Sequence, residues 1–193
     1  MTIDKRGVFV LALLPLLWIS WLAYRDALGA HPVERVIHFT GLWTLYFLLI
    51  TLSVTPLRRL LGWNGLLRIR RMLGLFAFMY GNLHLLSYAG IDQWFDWQAI
   101  IHDIFKHPYI LIGLSGYVLM LPLALTSNAW AISRLKTRWK QLHRLAYLVP
   151  ALGVLHFAWL VKKDLSEPVL YGVLLLVLLG LRLPVLSQWR FSR

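Results

Sequence analysis

The stretch HRLAYLVPALGVLHFAWLV (143–161) is almost entirely apolar, yet it begins with His143 and contains a second histidine, His156. A helix of about 20 mostly apolar residues is long enough to cross the hydrocarbon core of a membrane. A histidine within that core is costly unless it has a partner, and it therefore indicates a functional site. The stretch predicts a membrane-spanning helix that carries functional histidines.

A second apolar stretch, RMLGLFAFMYGNLHLLSY (71–88), contains His84. Three histidines at two depths of a membrane indicate metal chemistry, and haem iron is the metal most often held in this way. The chain contains no cysteine. This excludes disulfides, iron–sulfur clusters and thiolate-ligated haem, so that His, Met or Tyr must supply any haem ligand.

Composition predicts the fold class. Hydrophobic residues make up 59% of the 193-residue chain, and the mean hydropathy of +0.65 is too high for a soluble domain. We predict an all-α membrane protein, a bundle of six transmembrane helices that forms a single domain over residues 1–193. The predicted spans are 8–24, 36–54, 72–89, 109–125, 143–161 and 168–186. We predict that the first is a retained helix and not a cleaved signal peptide, since Trp18, Trp21 and Tyr24 suit a membrane interface.

The distribution of charge predicts the orientation. With six spans and a cytoplasmic N-terminus, most of the basic residues fall on the inner side: Lys5, Arg6, Arg58, Arg59, Arg68, Arg70, Arg71, Arg134, Lys136, Arg138, Lys140, Arg144, Arg182, Arg190 and Arg193. The outer side receives Arg25, Arg35, Lys106, Lys162 and Lys163 and most of the acids: Asp26, Glu34, Asp92, Asp96, Asp103, Asp164 and Glu167. This pattern predicts that both termini are cytoplasmic (N-in, C-in).

The net positive charge does not indicate a nucleic-acid partner. A net charge of +12 is explained by short loops that set topology and contact anionic membrane lipid, and no nucleic-acid-binding motif is present. No glycine fingerprint for a dinucleotide is present, and the loops are too short to form such a domain. If the protein carries electrons, another molecule must therefore deliver them.

The predicted depth in the membrane divides the three histidines into two levels. His84 and His156 lie at similar heights in helices predicted to run in the same direction, so one haem fits between them. His143 precedes His156 by 13 residues, which places it about 20 Å lower, near the inner surface. A second haem at that level would complete a transmembrane electron path. Pro150 lies between the two histidines and is expected to kink the helix.

Five runs carry a resemblance that covers nearly the whole chain: HFTG (38–41), RIRRMLG (68–74), NLHLLSY (82–88), KQLHRLAY (140–147) and HFAWLVK (156–162). In order and spacing they closely resemble the MsrQ (YedZ) family, the haem-binding membrane subunits of the bacterial periplasmic methionine sulfoxide reductase system. That family is similar to the wider ferric reductase-like transmembrane group, which holds two b haems between its third and fifth helices.

The resemblance implies two histidines on helix three, 14 residues apart, and two on helix five, 13 apart. His84, His143 and His156 match three of these axial haem ligands, whereas Arg70 stands where the fourth is expected. Arginine stays protonated and does not ligate iron, although Arg70 or Arg71 could contact haem propionates or a flavin. The resemblance therefore implies one b haem at the outer site, with the second ligand of an inner haem left open.

The resemblance also implies a function. Electrons would enter the bacterial inner membrane from a cytoplasmic flavin reductase or from quinol, with FMN and quinone as candidate cofactors. They would leave to MsrP, a periplasmic molybdenum-cofactor methionine sulfoxide reductase that repairs oxidised envelope proteins. The acidic segment 90–108, with its exposed aromatic residues, is the expected docking loop.

Several alternatives stay open. The chain could be a ferric or quinone reductase that has no such partner, or a small transporter that uses its histidines as a relay. The transporter hypothesis predicts intramembrane carboxylates, and no predicted span contains one in its interior. His38 is an alternative ligand or an interfacial hydrogen-bonding group. We expect His31, His102 and His107 to be solvated loop residues.

Overall fold

The computed structural model describes residues 4–161 and 164–182. The end of the sixth predicted span, residues 183–186, lies outside the described residues, and so do Lys162, Lys163, Arg190 and Arg193.

Within the described residues the regular structure is entirely helical, which confirms the predicted all-α class. The helices are α1 (Lys5–Tyr24), α2 (Pro32–Leu61), α3 (Leu67–Leu86), α4 (Trp97–Lys106), α5 (Pro108–Leu125), α6 (Ala129–Leu135), α7 (Thr137–Leu142), α8 (Leu145–Val161) and α9 (Ser166–Gly180). A 3-10 turn over Asn64–Leu66 precedes α3, and a π-helical turn over Ser87–Asp92 follows it. The six predicted spans correspond to α1, α2, α3, α5, α8 and α9.

Four segments are long and apolar enough to cross a membrane: α1, α2, α5 and the stretch Thr137–Val161, which ends with α8. The shorter α9 is also apolar. By the same criterion α3 falls short, because Arg68, Arg70 and Arg71 lie in its first turns. A multi-pass membrane protein agrees with these helices, while the count of six spans stays a prediction.

Helix boundaries differ from the predicted spans in ways that local chemistry explains. α2 continues through the predicted inner loop to Leu61, where Gly62 adopts the left-handed conformation (φ 69°) that ends many helices. The approximate start predicted for the fifth span, His143, lies two residues before the start of α8. His143 follows the short helix α7, and α8 begins at Leu145.

Contacts between helices define two ends of the bundle. The backbone of Ile37 near the start of α2 meets His84 near the end of α3, and Tyr109 at the start of α5 meets His156 late in α8. At the other end, Thr126 after α5 meets His143 before α8. Neighbouring helices in the α2–α3 and α5–α8 pairs therefore run antiparallel.

The two ends carry opposite charge patterns. We call residues 25–35, 87–107 and 164–167 the acidic end, since they contain the acidic residues other than Asp4. We call residues 4–6, 58–71, 126–144 and 181–182 the basic end. The charges thus separate as predicted, but which end faces the cytoplasm is not tested by the structure.

The core joins the first three long helices through stacked aromatic rings. Phe47 of α2 stacks on Phe76 and Tyr80 of α3, with ring centroids 5.6 Å and 5.3 Å apart. The buried Tyr80 hydroxyl donates to the carbonyl of Ala12 (2.9 Å) and accepts from the backbone N–H of Leu16 (3.1 Å). These two groups are four residues apart, so the hydroxyl is inserted into the hydrogen-bond ladder of α1 beside Pro15.

Candidate metal centre

His84 and His156 lie next to each other at the acidic end of the bundle. Their ring centroids are 6.1 Å apart and their planes are nearly perpendicular, at 79°. Both side chains are partly buried. The structure therefore brings together the two histidines that the depth argument paired.

Each ring is held by one nitrogen. His84 Nδ1 lies 2.9 Å from the Ile37 carbonyl oxygen, and His156 Nδ1 lies 2.6 Å from that of Tyr109. A carbonyl oxygen only accepts hydrogen bonds, so both Nδ1 atoms carry the proton and donate it. In neutral imidazole this leaves Nε2 with a free lone pair, the form that binds a metal.

A glycine lies against each ring. A Cβ atom added to Gly41 would lie 3.1 Å from His84 Nδ1, and one added to Gly113 would lie 2.7 Å from His156 Nδ1. Both distances are shorter than ordinary van der Waals contacts, and the second would force a displacement. Only glycine lets the neighbouring helix approach these rings so closely.

The two halves of the site repeat one local arrangement. In each half the accepting carbonyl lies 47 residues before its histidine, and the glycine follows the carbonyl residue by four positions. The pairs Ile37 and Tyr109, Gly41 and Gly113, and His84 and His156 are each separated by 72 residues. The sequence shows no defensible repeat, but the helix pairs α2–α3 and α5–α8 present their histidines in the same way.

The donor set fits an iron porphyrin. A metal ion held by protein alone needs three or more ligands, and the described residues contain no cluster of that kind. Two axial imidazoles suffice for haem, because the porphyrin supplies the remaining ligands. His84 of α3 and His156 of α8, with ring centroids 6.1 Å apart, are the residues that would hold such a group.

His38 lies close to this pair but is not joined to it. Its ring centroid is 6.5 Å from that of Phe157, the neighbour of His156, and its own residue follows Ile37, whose carbonyl holds His84. His38 also lines a cleft of about 400 Å³ formed by residues 28–31 and the start of α2. The structure therefore places His38 at the edge of the site.

His143 has a different environment at the basic end. Its Nε2 lies 3.1 Å from Thr126 Oγ1, and its ring stacks on Trp139 with centroids 3.9 Å apart. The Thr126 hydroxyl donates its own proton to the Pro122 carbonyl (2.6 Å), so His143 Nε2–H must be the donor to Thr126. Thr126 follows Tyr109 by 17 residues along α5, which separates the two histidine levels by about 25 Å.

Arg70 and Arg71 point in different directions at the start of α3. Arg70 is partly buried and is a charged neighbour of His143. Arg71 is exposed on the surface of the bundle. The structure thus brings Arg70 to the His143 level, and it leaves Arg71 outside that cluster.

The loop histidines lie at the acidic end. His31 and His102 are exposed. His107 Nε2 lies 3.9 Å from an oxygen of Asp103, whose other oxygen accepts a hydrogen bond from the Tyr88 hydroxyl (3.2 Å). This contact fastens α4 to the end of α3, so the acidic loop is a structured part of the bundle.

Sequence reasoning missed the groups that hold the histidines. The carbonyls of Ile37 and Tyr109 have no signature in the side-chain pattern. Gly41 and Gly113 did carry a signal, since a glycine within an apolar span often marks close helix packing. Thr126 and Trp139, which hold His143, lie in what the pattern indicated was an ordinary inner loop.

Comparison with known proteins assigns the family. Residues 37–154 match the family described as "Ferric reductase like transmembrane component". The chain is 51% identical over 180 residues to a protein of Azospira oryzae named "Protein-methionine-sulfoxide reductase heme-binding subunit MsrQ", an alignment that covers 92% of this chain and 77% of that protein.

Two further relatives carry the same name. The protein of Rhodospirillum rubrum is 49% identical over 193 residues, covering 99% of this chain and 93% of the relative. The protein of Bordetella pertussis is 46% identical over 188 residues, covering 96% and 90%. No solved structure matches the chain. This chain therefore belongs to the MsrQ family of ferric reductase-like transmembrane components.

Proposed function

We propose that this chain is the haem-binding subunit of a methionine sulfoxide reductase system and passes electrons across the bacterial inner membrane. The observation that carries the proposal is the His84–His156 pair, with ring centroids 6.1 Å apart and both Nδ1 atoms bonded to backbone carbonyls. The names of the relatives support the same role.

The protein's contribution to this chemistry is positioning. Haem iron supplies one-electron exchange when bound. His84 and His156 would hold a single b-type haem through Nε2. The carbonyls of Ile37 and Tyr109 fix the tautomer and raise the basicity of each ring. Gly41 and Gly113 let the helices that carry these carbonyls approach the rings.

The proposal does not extend to a second haem at His143. Its Nε2 donates to Thr126, and Arg70 stands beside it where a second histidine would be needed. Guanidinium is a good partner for propionate or phosphate oxygens and a poor iron ligand. We therefore assign the partly buried Arg70, together with the exposed Arg71, to contacts with an anionic group such as a haem propionate or FMN.

The proposed orientation follows from charge. The basic end faces the cytoplasm, with six spans and both termini inside. A flavin reductase or membrane quinol would deliver electrons at that end. The His84–His156 pair would then lie toward the periplasm, where the acceptor is a molybdenum-cofactor methionine sulfoxide reductase of the MsrP type.

The acidic segment 90–108 is the proposed docking face for this acceptor. Trp94 is 83% exposed and Phe105 is 82% exposed, and exposed aromatic residues are enriched where proteins dock. The turn before α4 holds Trp94 and Phe95 at positive φ (48° and 57°). The contact between Tyr88 and Asp103 fixes the helix that follows.

Orientation can be tested because the chain has no cysteine. Gln98→Cys at the acidic end and Ser133→Cys at the basic end each place one thiol at an exposed position. In intact cells, a membrane-impermeant maleimide should label Gln98→Cys only. Labelling of Ser133→Cys alone would reverse the proposed orientation.

The electron-transfer role is tested with the purified, dithionite-reduced protein. Its reduced b-type spectrum should decay when an MsrP-type reductase and methionine sulfoxide are both added, and it should persist when either is omitted. The runner-up, a ferric or quinone reductase, predicts fast decay with a ferric chelate or a quinone alone. That outcome, together with no response to the reductase, would contradict the proposal.

A further inference from the structure

Two buried polar atoms at or next to the basic end have no partner among residues 4–161 and 164–182. They are Thr55 Oγ1 and Arg182 Nε. Leaving a buried donor unpaired is unfavourable, most of all on a charged group. Both atoms therefore indicate a ligand that residues 4–161 and 164–182 do not provide.

Both residues lie where α2 meets the end of α9. Pro56 has no N–H to offer the Leu52 carbonyl, and Arg182 donates to that carbonyl through Nη2 instead. Arg59 donates to the Leu181 carbonyl (3.4 Å). Thr55 lies three residues after Leu52 and four before Arg59, so all three share the face of α2 that meets the end of α9.

Tyr147 of α8 also contacts the Arg182 guanidinium. Arg182 Nη1 donates to the Tyr147 hydroxyl (3.1 Å), and the guanidinium lies over the Tyr147 ring at 5.2 Å from its centroid. These contacts fix the plane of the guanidinium. Its Nε–H has no partner among the described residues.

The charges around this place have one sign. Arg59 and Arg70 are charged neighbours of Arg182. Asp4 is the only carboxylate at the basic end among the described residues, and it caps the start of α1. Arg59 therefore lies beside Arg182 through its bond to the Leu181 carbonyl, and among the described residues no carboxylate of α2, α3 or α9 lies at this end to offset their repulsion.

We propose that Thr55, Tyr147 and Arg182, with Arg59, bind a phosphate group near the basic end of the bundle. Guanidinium and hydroxyl donors arranged around one point suit a tetrahedral oxyanion with several acceptor oxygens. Basic pockets between helices at the end of a membrane bundle bind anionic lipid headgroups. The membrane supplies this chemistry as an anionic phospholipid, and a soluble phosphate is the other source.

The test is native mass spectrometry of the detergent-purified full chain after delipidation. Phosphatidylglycerol, phosphatidylcholine and inorganic phosphate are added separately at equal concentrations. The wild type should retain one phosphatidylglycerol, and Arg182→Gln should retain about tenfold less. Thr55→Val, which keeps the side-chain shape, should weaken retention less. Arg68→Gln removes an exposed arginine from the same end, and it should behave as the wild type.

The possible results distinguish a lipid phosphate from a soluble phosphate, and both from the absence of a phosphate site. Equal retention of phosphatidylglycerol by wild type, Arg182→Gln and Thr55→Val would overturn the site. Equal binding of phosphatidylcholine and phosphatidylglycerol would overturn anion selectivity. Phosphate binding that depends on Arg182 and Thr55, with no lipid bound, would overturn the lipid source and support the phosphate site. If Arg182→Gln does not fold, Thr55→Val against Arg68→Gln decides.

Discussion

The two histidine levels of this bundle are built in opposite ways. At the acidic end, backbone carbonyls hold His84 and His156 by Nδ1, glycines flank both rings, and the Nε2 atoms have no hydrogen-bond partner among the described residues. At the basic end, His143 gives its Nε2 proton to Thr126 and stacks on Trp139. From this difference we expect that the partner of the second ring nitrogen, and not depth in the span alone, decides which histidine binds a metal.

The largest effect is expected from Gly113→Ala. A Cβ there would lie 2.7 Å from His156 Nδ1, so the ring must move and its bond to Tyr109 breaks. Loss of the group that orients a metal-binding histidine weakens metal affinity about 10–100-fold. Haem content measured per purified chain should fall accordingly.

The matched control for that variant lies in the same helix. A Cβ at Gly116 meets only Leu152 Cβ, at an ordinary 3.6 Å. Gly116→Ala should therefore keep its haem. Equal haem loss in both variants would show that α5 does not tolerate alanine in general. It would contradict a specific role for Gly113 beside His156.

Gly41→Ala should act in the same direction with a smaller effect. The added Cβ would lie 3.1 Å from His84 Nδ1, a contact that a small shift of the ring can relieve. We expect haem loss that is measurable but several-fold less than for Gly113→Ala. A larger loss of haem than for Gly113→Ala would contradict the expectation that haem loss increases with the steric overlap between the added Cβ and the histidine ring.

Tyr80→Phe sharpens the contrast between a stabilising hydrogen bond and a ligand site. The hydroxyl holds α1 through Ala12 and Leu16, so its removal should destabilise the bundle by about 1–3 kcal/mol. Unfolding by denaturant measures this cost, while the haem spectrum should be unchanged. A shifted spectrum would show that the contact between Tyr80 and α1 affects the metal centre. It would contradict the expectation that this contact only stabilises the bundle.

The smallest effect is expected at the basic end. Thr126→Val removes the acceptor of the His143 N–H and should cost about 1 kcal/mol of stability, whereas Thr126→Ser keeps the hydroxyl and should cost less. Neither variant should alter the spectrum of the acidic-end site. A change in haem content on Thr126→Val would indicate a second haem at His143.

Much of this architecture was predictable from sequence because membrane helices obey simple rules of length and charge. The positions of the long helices, the separation of charge between the two ends and the pairing of His84 with His156 followed from apolar spacing. The helices within loops 90–108 and 126–142 were not predicted, because short segments lack the length signal. The exact start of α8 at Leu145 also lay beyond the apolar pattern. That pattern does not reveal that His143 is held by Thr126 and Trp139.

The arrangement around each histidine lay beyond the sequence pattern. The carbonyls of Ile37 and Tyr109 belong to the backbone, which every residue possesses, so that only the fold selects them. The 72-residue correspondence between the two halves of the site is carried by a single glycine and a single histidine in each half. Such a sparse match cannot be distinguished from chance before the helices are placed.

The most direct measurement is a pyridine-haemochrome determination of haem per chain for wild type, His84→Ala, His156→Ala and His143→Ala, with the exposed His31→Ala as control. We predict a b-type haem that is lost on His84→Ala or His156→Ala and retained on His143→Ala and His31→Ala. Retention of haem by both His84→Ala and His156→Ala, with loss on His143→Ala, would contradict this prediction.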